Sequence, residues 1–151
     1  MTTGAEAFIV DASVAVKWQL TDEELAEEAG LLLTRFSLGV TRLTAPFQIL
    51  YEVSSAITAA TLGQRPRLTP EQGLRAIERF MTIELVLYGS ADLIPAAYAL
   101  VHQHGIAFYD ALYLALALQL DVPFITADRR LYQRIAQLPL VVWLGDYAPT
   151  L

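Results

Sequence analysis

The chain has 151 residues, of which 55% are apolar and 17% charged, and a net charge of −6. That length suits a single domain, residues 1–151, with a sizeable core. The lack of cysteine excludes disulfides and thiolate metal sites, and the acidic balance argues against a protein that coats nucleic acid by bulk electrostatics.

Phe8-Ile9-Val10 is a short apolar run ending at Asp11 and reads as a buried strand. "SVAVKWQL" then reads as a short helix that Ser13 can cap, and Thr21 to Leu38 as an amphipathic helix whose "TDEE" opening suits the helix dipole. "RLTAP" gives a second strand near Leu43, followed by a helix from Phe47 to Thr61 with Leu50, Val53, Ile57 and Ala60 on one face. After the "GQRPR" loop, "TPEQ" has the cap, proline and acid order of a helix start, and predicts a helix from Thr69 to about Met81. "IELVLYG" is a third strand, and Ala91 to His104 a helix closed by Gly105. An apolar helix from Asp110 to Leu120, a strand "VPFIT", a helix from Asp128 to Ala136 and a strand "LVVWL" complete the pattern. Short apolar strands alternating with helices imply an α/β fold, a parallel sheet covered on both faces in three layers.

No uncharged apolar run reaches the ~20 residues of a membrane helix. "MTTGAEAFIV" lacks the basic region of a signal peptide, so the expectation is a soluble, cytoplasmic protein with no membrane contact. A chain this apolar has surface to spare for partners.

Ligands of open parallel sheets bind beyond the carboxyl ends of the strands. Asp11 ends the first strand, and Asp128 stands two residues past Thr126 at the end of the fourth. Asp110 opens a helix apolar all round, and Glu52 lies at the margin of its helix's apolar stripe. Each acid alone has an ordinary reading: a cap for Asp110, turn residues for Asp11 and Asp128, a surface side chain for Glu52. Converging in one pocket, they would repel, and a divalent cation would relieve that repulsion. Hard oxygen donors suit Mg²⁺ or Mn²⁺, and such a site can bind phosphate and activate water.

"FIVDASVAVKW", "APFQILYEVSSAI", "FYDALYLALA" and "FITADRRL" resemble, in order and spacing, the signature segments of PIN-domain ribonucleases, most of all VapC-type toxins of toxin–antitoxin pairs. The resemblance covers nearly the whole chain. It implies a central parallel five-stranded sheet flanked by helices, and Mg²⁺- or Mn²⁺-dependent cleavage of single-stranded RNA to a 5′-phosphate and a 3′-hydroxyl. By segment match Asp11, Glu52, Asp110 and Asp128 are the catalytic acids. Asp11 and Asp110 are the direct metal ligands and Asp128 joins directly or through water; Glu52 holds metal-bound water or helps deprotonate the attacking one. Ser13 and Thr126 match supporting hydroxyl positions. The resemblance also implies a homodimer and a VapB-type antitoxin. A net charge of −6 is more acidic than many toxins of this type carry.

Of the remaining polar residues, Arg129, Arg130 and Arg134 follow Asp128 and read either as a solvated face or as holders of RNA phosphate. Arg65 and Arg67 read as a mobile loop, Lys17 as solvent-facing, Trp18 and Trp143 as core or interface, and His102 and His104 as helix-end dipole compensation. Two other classes compete with the nuclease. One is an Asp-dependent phosphoryl-transfer domain, disfavoured because Ser13 stands where such proteins usually carry a second Asp. The other is a non-catalytic PIN-type scaffold, disfavoured by the retained acids.

Overall fold

In the computed structural model, residues 4–149 are described. Five strands, β1 (Glu6–Val10), β2 (Thr41–Pro46), β3 (Val86–Tyr88), β4 (Phe124–Thr126) and β5 (Val141–Trp143), form one parallel sheet in the order β3-β2-β1-β4-β5. The helices are α1 (Ala12–Ala15), α2 (Ala26–Ser37), α3 (Ile49–Ala60), α4 (Pro70–Met81), α5 (Ile94–His104), α6 (Phe108–Leu120) and α7 (Arg129–Ile135). Strands at the middle of the sheet read as uninterrupted apolar runs because both faces are covered. Ile9, Val10, Phe124 and Ile125 are all fully buried.

The chain steps from β1 to β2 to β3, then crosses back to β4 on the other side of β1. With right-handed crossovers this puts α1 to α4 on one face and α5 to α7 on the other. Strand order therefore reverses between β1 and β4, the position where open α/β sheets make a crevice at their carboxyl ends. Helix α6 packs over β1, β2 and β4, which explains why it is apolar all round. Every residue from Ala111 to Ala117 is buried.

The strands fall where the apolar runs predict, and α4 starts on the expected capping box, Thr69 and Gln72 each accepting from the other's backbone N–H. Other boundaries differ. The helix predicted from Thr21 begins only at Ala26, because Leu25 takes a left-handed backbone (φ 64°) and breaks the run. The acids before it serve as ion-pair partners instead: Asp22 and Glu23 hold Arg67, and Glu24 meets Arg129. Arg67 is thus tied down rather than loose. Ser13 does not cap α1; it lies inside the helix, and Asp11 takes the cap position without a side-chain cap bond. Trp18 is core, its indole N–H donating to the Ala29 carbonyl at 2.8 Å. Lys17, expected to face solvent, is buried beside it. Among the described residues no helix is long and apolar enough to cross a membrane.

Candidate active site

In a parallel sheet each crossover helix starts at the carboxyl ends of the strands, so helix N-termini collect there. Asp11 and Asp128 occupy the N-cap positions of α1 and α7, and Glu52 and Asp110 lie in the first turns of α3 and α6. The topology, not local sequence, brings these four distant acids to one end of the molecule.

Beta pairing fixes the first contact. Val10 pairs with Ile125, and the Asp11 N–H donates to the Ile125 carbonyl at 3.0 Å. One residue on, the Thr126 hydroxyl donates to Asp11 Oδ2 at 2.8 Å, and the Ser13 hydroxyl donates to the same oxygen at 2.6 Å. The two hydroxyls also accept from the loop beyond β4: Ser13 Oγ from the Ala127 N–H (2.9 Å) and Thr126 Oγ1 from the Asp128 N–H (3.0 Å). Ser13 and Thr126 thus orient buried Asp11 and fix the turn that presents Asp128. Asp128 itself caps α7, its Oδ1 accepting from the Leu131 N–H at 3.1 Å.

Glu52 is half-buried, as its place at the stripe's margin predicts. Both its oxygens are engaged: Oε1 by Gln48 Nε2 at 2.8 Å and Oε2 by the Tyr113 hydroxyl at 3.3 Å. Gln48 also donates to the Tyr109 carbonyl at 2.9 Å, joining the starts of α3 and α6. Gln48 and Tyr113 were missed in the sequence. Their signals are the helical spacings of Gln48 to Glu52 and of Asp110 to Tyr113, which place each pair on one face.

Helix α6 begins two residues earlier than predicted, at Phe108 behind an Ala107 cap position, so Asp110 is in the first turn and makes no capping hydrogen bond. Capping therefore does not explain this carboxylate. Burial pushes its pKa up to about 7, and the charges of Asp11, Asp128 and Glu52 add to the rise. Burial likewise raises Asp11 against the lowering effect of the Ser13 and Thr126 hydroxyls, with Asp128 adding to the rise. Glu52 is raised by burial and by Asp11, against the lowering pull of Gln48 and Tyr113. Tyr113 is held protonated by burial and the surrounding carboxylates. The four acids lie in one electrostatic neighbourhood, and no cation is among the groups acting on these three.

Two cavities have Asp128 in their walls. One, of about 390 Å³, is lined by Ser13, Lys17, Glu23, Glu52 and Asp128 among others. The second, of about 280 Å³, is lined by Asp110, Asp128, Arg130 and Arg134. Arg129 turns elsewhere, pairing with Glu24 at 3.4 Å and lying 5.2 Å from the Trp143 ring.

Among the described residues, no three acidic or histidine side chains are already drawn together as a metal cluster. In donor type and charge the set nonetheless fits a hard divalent cation. It offers carboxylate oxygens with no thiolate, in a part-buried place where their mutual repulsion is uncompensated.

Comparison with known proteins identifies the family. Residues 8–138 match the PIN domain family model. The chain is 34% identical over 125 residues to Ribonuclease VapC12 of Mycobacterium tuberculosis, covering 83% of this chain and 89% of that one. Its fold is similar to that of PAE2754 from Pyrobaculum aerophilum, with a TM-score of 0.65 and 19% identity over 94% of this chain and 92% of that one. A toxin–antitoxin complex from Klebsiella pneumoniae aligns with a TM-score of 0.56 and 17% identity over 89% of this chain and 95% of its counterpart. The chain belongs to the PIN domain family, in its VapC ribonuclease branch.

Proposed function

We propose that the protein is the toxin of a toxin–antitoxin pair, a single-domain endoribonuclease that hydrolyses RNA phosphodiester bonds with Mg²⁺ or Mn²⁺. One observation carries this reading: four carboxylates from separate elements share one neighbourhood, with Asp110 raised to about 7 by burial and by the charges of the other three. Stability alone would not favour such an arrangement. VapC12 is a ribonuclease by name, which supports the activity.

Asp11, Asp110 and Asp128 would hold the ion. When bound, it supplies positive charge to the phosphate oxygens and lowers the pKa of water. Ser13 and Thr126 keep Asp11 turned toward the site. Glu52, its oxygens fixed by Gln48 and Tyr113, accepts the proton of the attacking water. The water oxygen bonds to phosphorus as the bond from phosphorus to the 3′ oxygen breaks, and the departing 3′ oxygen takes a proton from solvent, leaving a 5′-phosphate and a 3′-hydroxyl. Arg130 and Arg134 border the acids and are placed to receive flanking phosphate.

Two partners complete the proposal. The Klebsiella toxin–antitoxin complex supports an antitoxin partner, and the VapC relatives point to one of the VapB type. A second copy of the chain would cover the exposed rings of Tyr51 and Tyr109, which line one groove; Tyr51→Arg with Tyr109→Arg should then yield a monomer by sedimentation. The functional test is induced expression of the parent and Asp11→Asn, with sequencing of RNA 5′ ends. Growth arrest and new 5′ ends with the parent alone are expected. New ends that persist at parental level in Asp11→Asn would overturn the site.

A further inference from the structure

Lys17 is the chain's one lysine, and it is buried between Val16 and Trp18, which are buried too. Taking an ammonium out of water is costly unless it is well paired. The pairing here is poor. The single hydrogen bond of Lys17 among the described residues runs to Glu23 Oε1 at 3.5 Å, longer than the usual range for a charge-assisted bond. Glu23 is shared as well, since Arg67 Nη1 donates to its other oxygen at 3.2 Å. An ammonium has three donors, so most of the donor capacity of Lys17 is unused.

Nor is Lys17 a counter-ion for the acids. The groups that set Asp11, Glu52 and Asp110 are burial, hydroxyl and amide donors and other carboxylates, with no lysine among them. Yet Lys17 borders the same cavity as Ser13, Glu52 and Asp128, and Asp128 also lines the Arg130 and Arg134 cavity. A part-satisfied cation thus borders one of the two cavities that Asp128 lines, and Arg130 and Arg134 border the other. In a chain of net charge −6, such local cations are what an incoming phosphate can use.

We propose that Lys17 binds a phosphate of the RNA strand on the α1 side of the carboxylates, with Glu23 as the partner it leaves when RNA arrives. This inference rests on the ribonuclease reading. It assigns the strand a path from the Arg130 and Arg134 cavity, over Asp128, to Lys17.

The test is steady-state cleavage of a fluorescein-labelled, mixed-sequence single-stranded RNA by the full chain in Mg²⁺, across a salt series. Lys17→Met should raise KM about tenfold, the scale of one charge-assisted hydrogen bond, with a smaller change in kcat. It should also flatten the dependence of log KM on log salt by about 0.7, the contribution of one neutralised phosphate on a single strand. Lys17→Arg should restore the slope. Glu23→Gln should lower KM, because it frees Lys17 and removes a negative charge from the path. A purely structural pair predicts the reverse pattern: Lys17→Met and Glu23→Gln would lose thermal stability together, with the salt slope unchanged. That result would overturn the proposal. If Lys17→Met does not fold, the sign of the Glu23→Gln effect on KM decides. A parent that cuts no RNA would bring down the nuclease reading and this one together. A parent that cuts RNA, with Lys17 variants matching its KM and slope, would bring down this inference alone.

Discussion

Strand β1 carries an acid at each end, and the two are treated in opposite ways. At its start, Glu6 Oε2 accepts from the Thr41 hydroxyl (2.6 Å), the Tyr147 hydroxyl (2.9 Å) and Arg35 (3.4 Å). Burial alone would raise Glu6, but these two hydroxyls and the guanidinium outweigh it and hold its pKa below the ordinary value. Past the strand's other end, Asp11 is raised despite two hydroxyl donors, and neighbouring Asp110 reaches about 7 with carboxylates as its charged neighbours. The first end is a closed, satisfied junction between β1, β2 and the chain's last turn. The second is left electrostatically open. What separates the two carboxylates here is the deeper burial of the Asp11 and Asp110 end together with the guanidinium that only Glu6 has beside it.

The largest expected effect lies at the open end. Asp110→Asn keeps size and shape but removes the charge that would bind the ion. RNA cleavage should fall by about a thousandfold or more, the scale of losing a key electrostatic group in catalysis. Far-ultraviolet circular dichroism should match the parent. Glu6→Gln, at the closed end, should cut RNA at nearly the parental rate. Equal rates for Asp110→Asn and the parent would dissolve the contrast between the two ends.

The closed end should answer in stability instead. Glu6→Ala strands the Thr41 and Tyr147 hydroxyls and should cost about 2 kcal/mol in urea unfolding at pH 7. Because the folded pKa of Glu6 is depressed, its contribution is present above the ordinary value near 4.5 and is lost as pH falls through the lower folded value. The difference between Glu6→Ala and the parent should therefore shrink in acid.

Asp110 has the opposite linkage. Its folded pKa lies above the ordinary 3.8, at about 7, so the folded protein holds a proton that the unfolded chain has released. Stability of the metal-free protein should fall as pH rises through that window. The full shift would correspond to about 4 kcal/mol; the carboxyl is partly open to solvent, and screening reduces this to about 1–2 kcal/mol. Asp110→Asn should thus be more stable than the metal-free parent at pH 8 and equal to it near pH 4. Adding Mn²⁺ at pH 8 should raise the Tm of the parent and leave Asp110→Asn nearly unmoved. A metal-independent parent Tm would remove the ion from the account.

Much of this contrast is legible in the sequence. "FIVD" and "FITAD" place acids at strand ends because parallel strands buried on both faces read as plain apolar runs. The margin position of Glu52 follows from helical spacing alone. Other features depend on distant partners and leave no local mark. Ala107 carries no side-chain cap, so Asp110 looks like the start of α6 when it lies two residues inside the first turn. Leu25 in a left-handed backbone has no sequence signature, and it shortens α2. Lys17 sits in an apolar run that ordinarily lets a lysine turn outward; only the packing of the loop with Glu23 against it leaves the ammonium inside. Glu6 is equally silent, since Thr41, Arg35 and Tyr147 come from three other places in the chain.

Asp128 tests whether one carboxylate can belong to both kinds of end at once. It caps α7 through Leu131, a structural task, and it lines both cavities, one of them with Asp110, a functional one. The substitutions separate the tasks because asparagine caps helices about as well as aspartate, whereas alanine does not. Asp128→Asn should leave the Tm within error of the parent in metal-free buffer while weakening Mn²⁺ binding measured by calorimetry. Asp128→Ala should weaken Mn²⁺ to the same degree and lose about 1 kcal/mol of stability in addition. If both variants bind Mn²⁺ as the parent does, and only the alanine loses stability, Asp128 belongs with Glu6 as a structural acid. The open end would then be reduced to Asp11, Glu52 and Asp110.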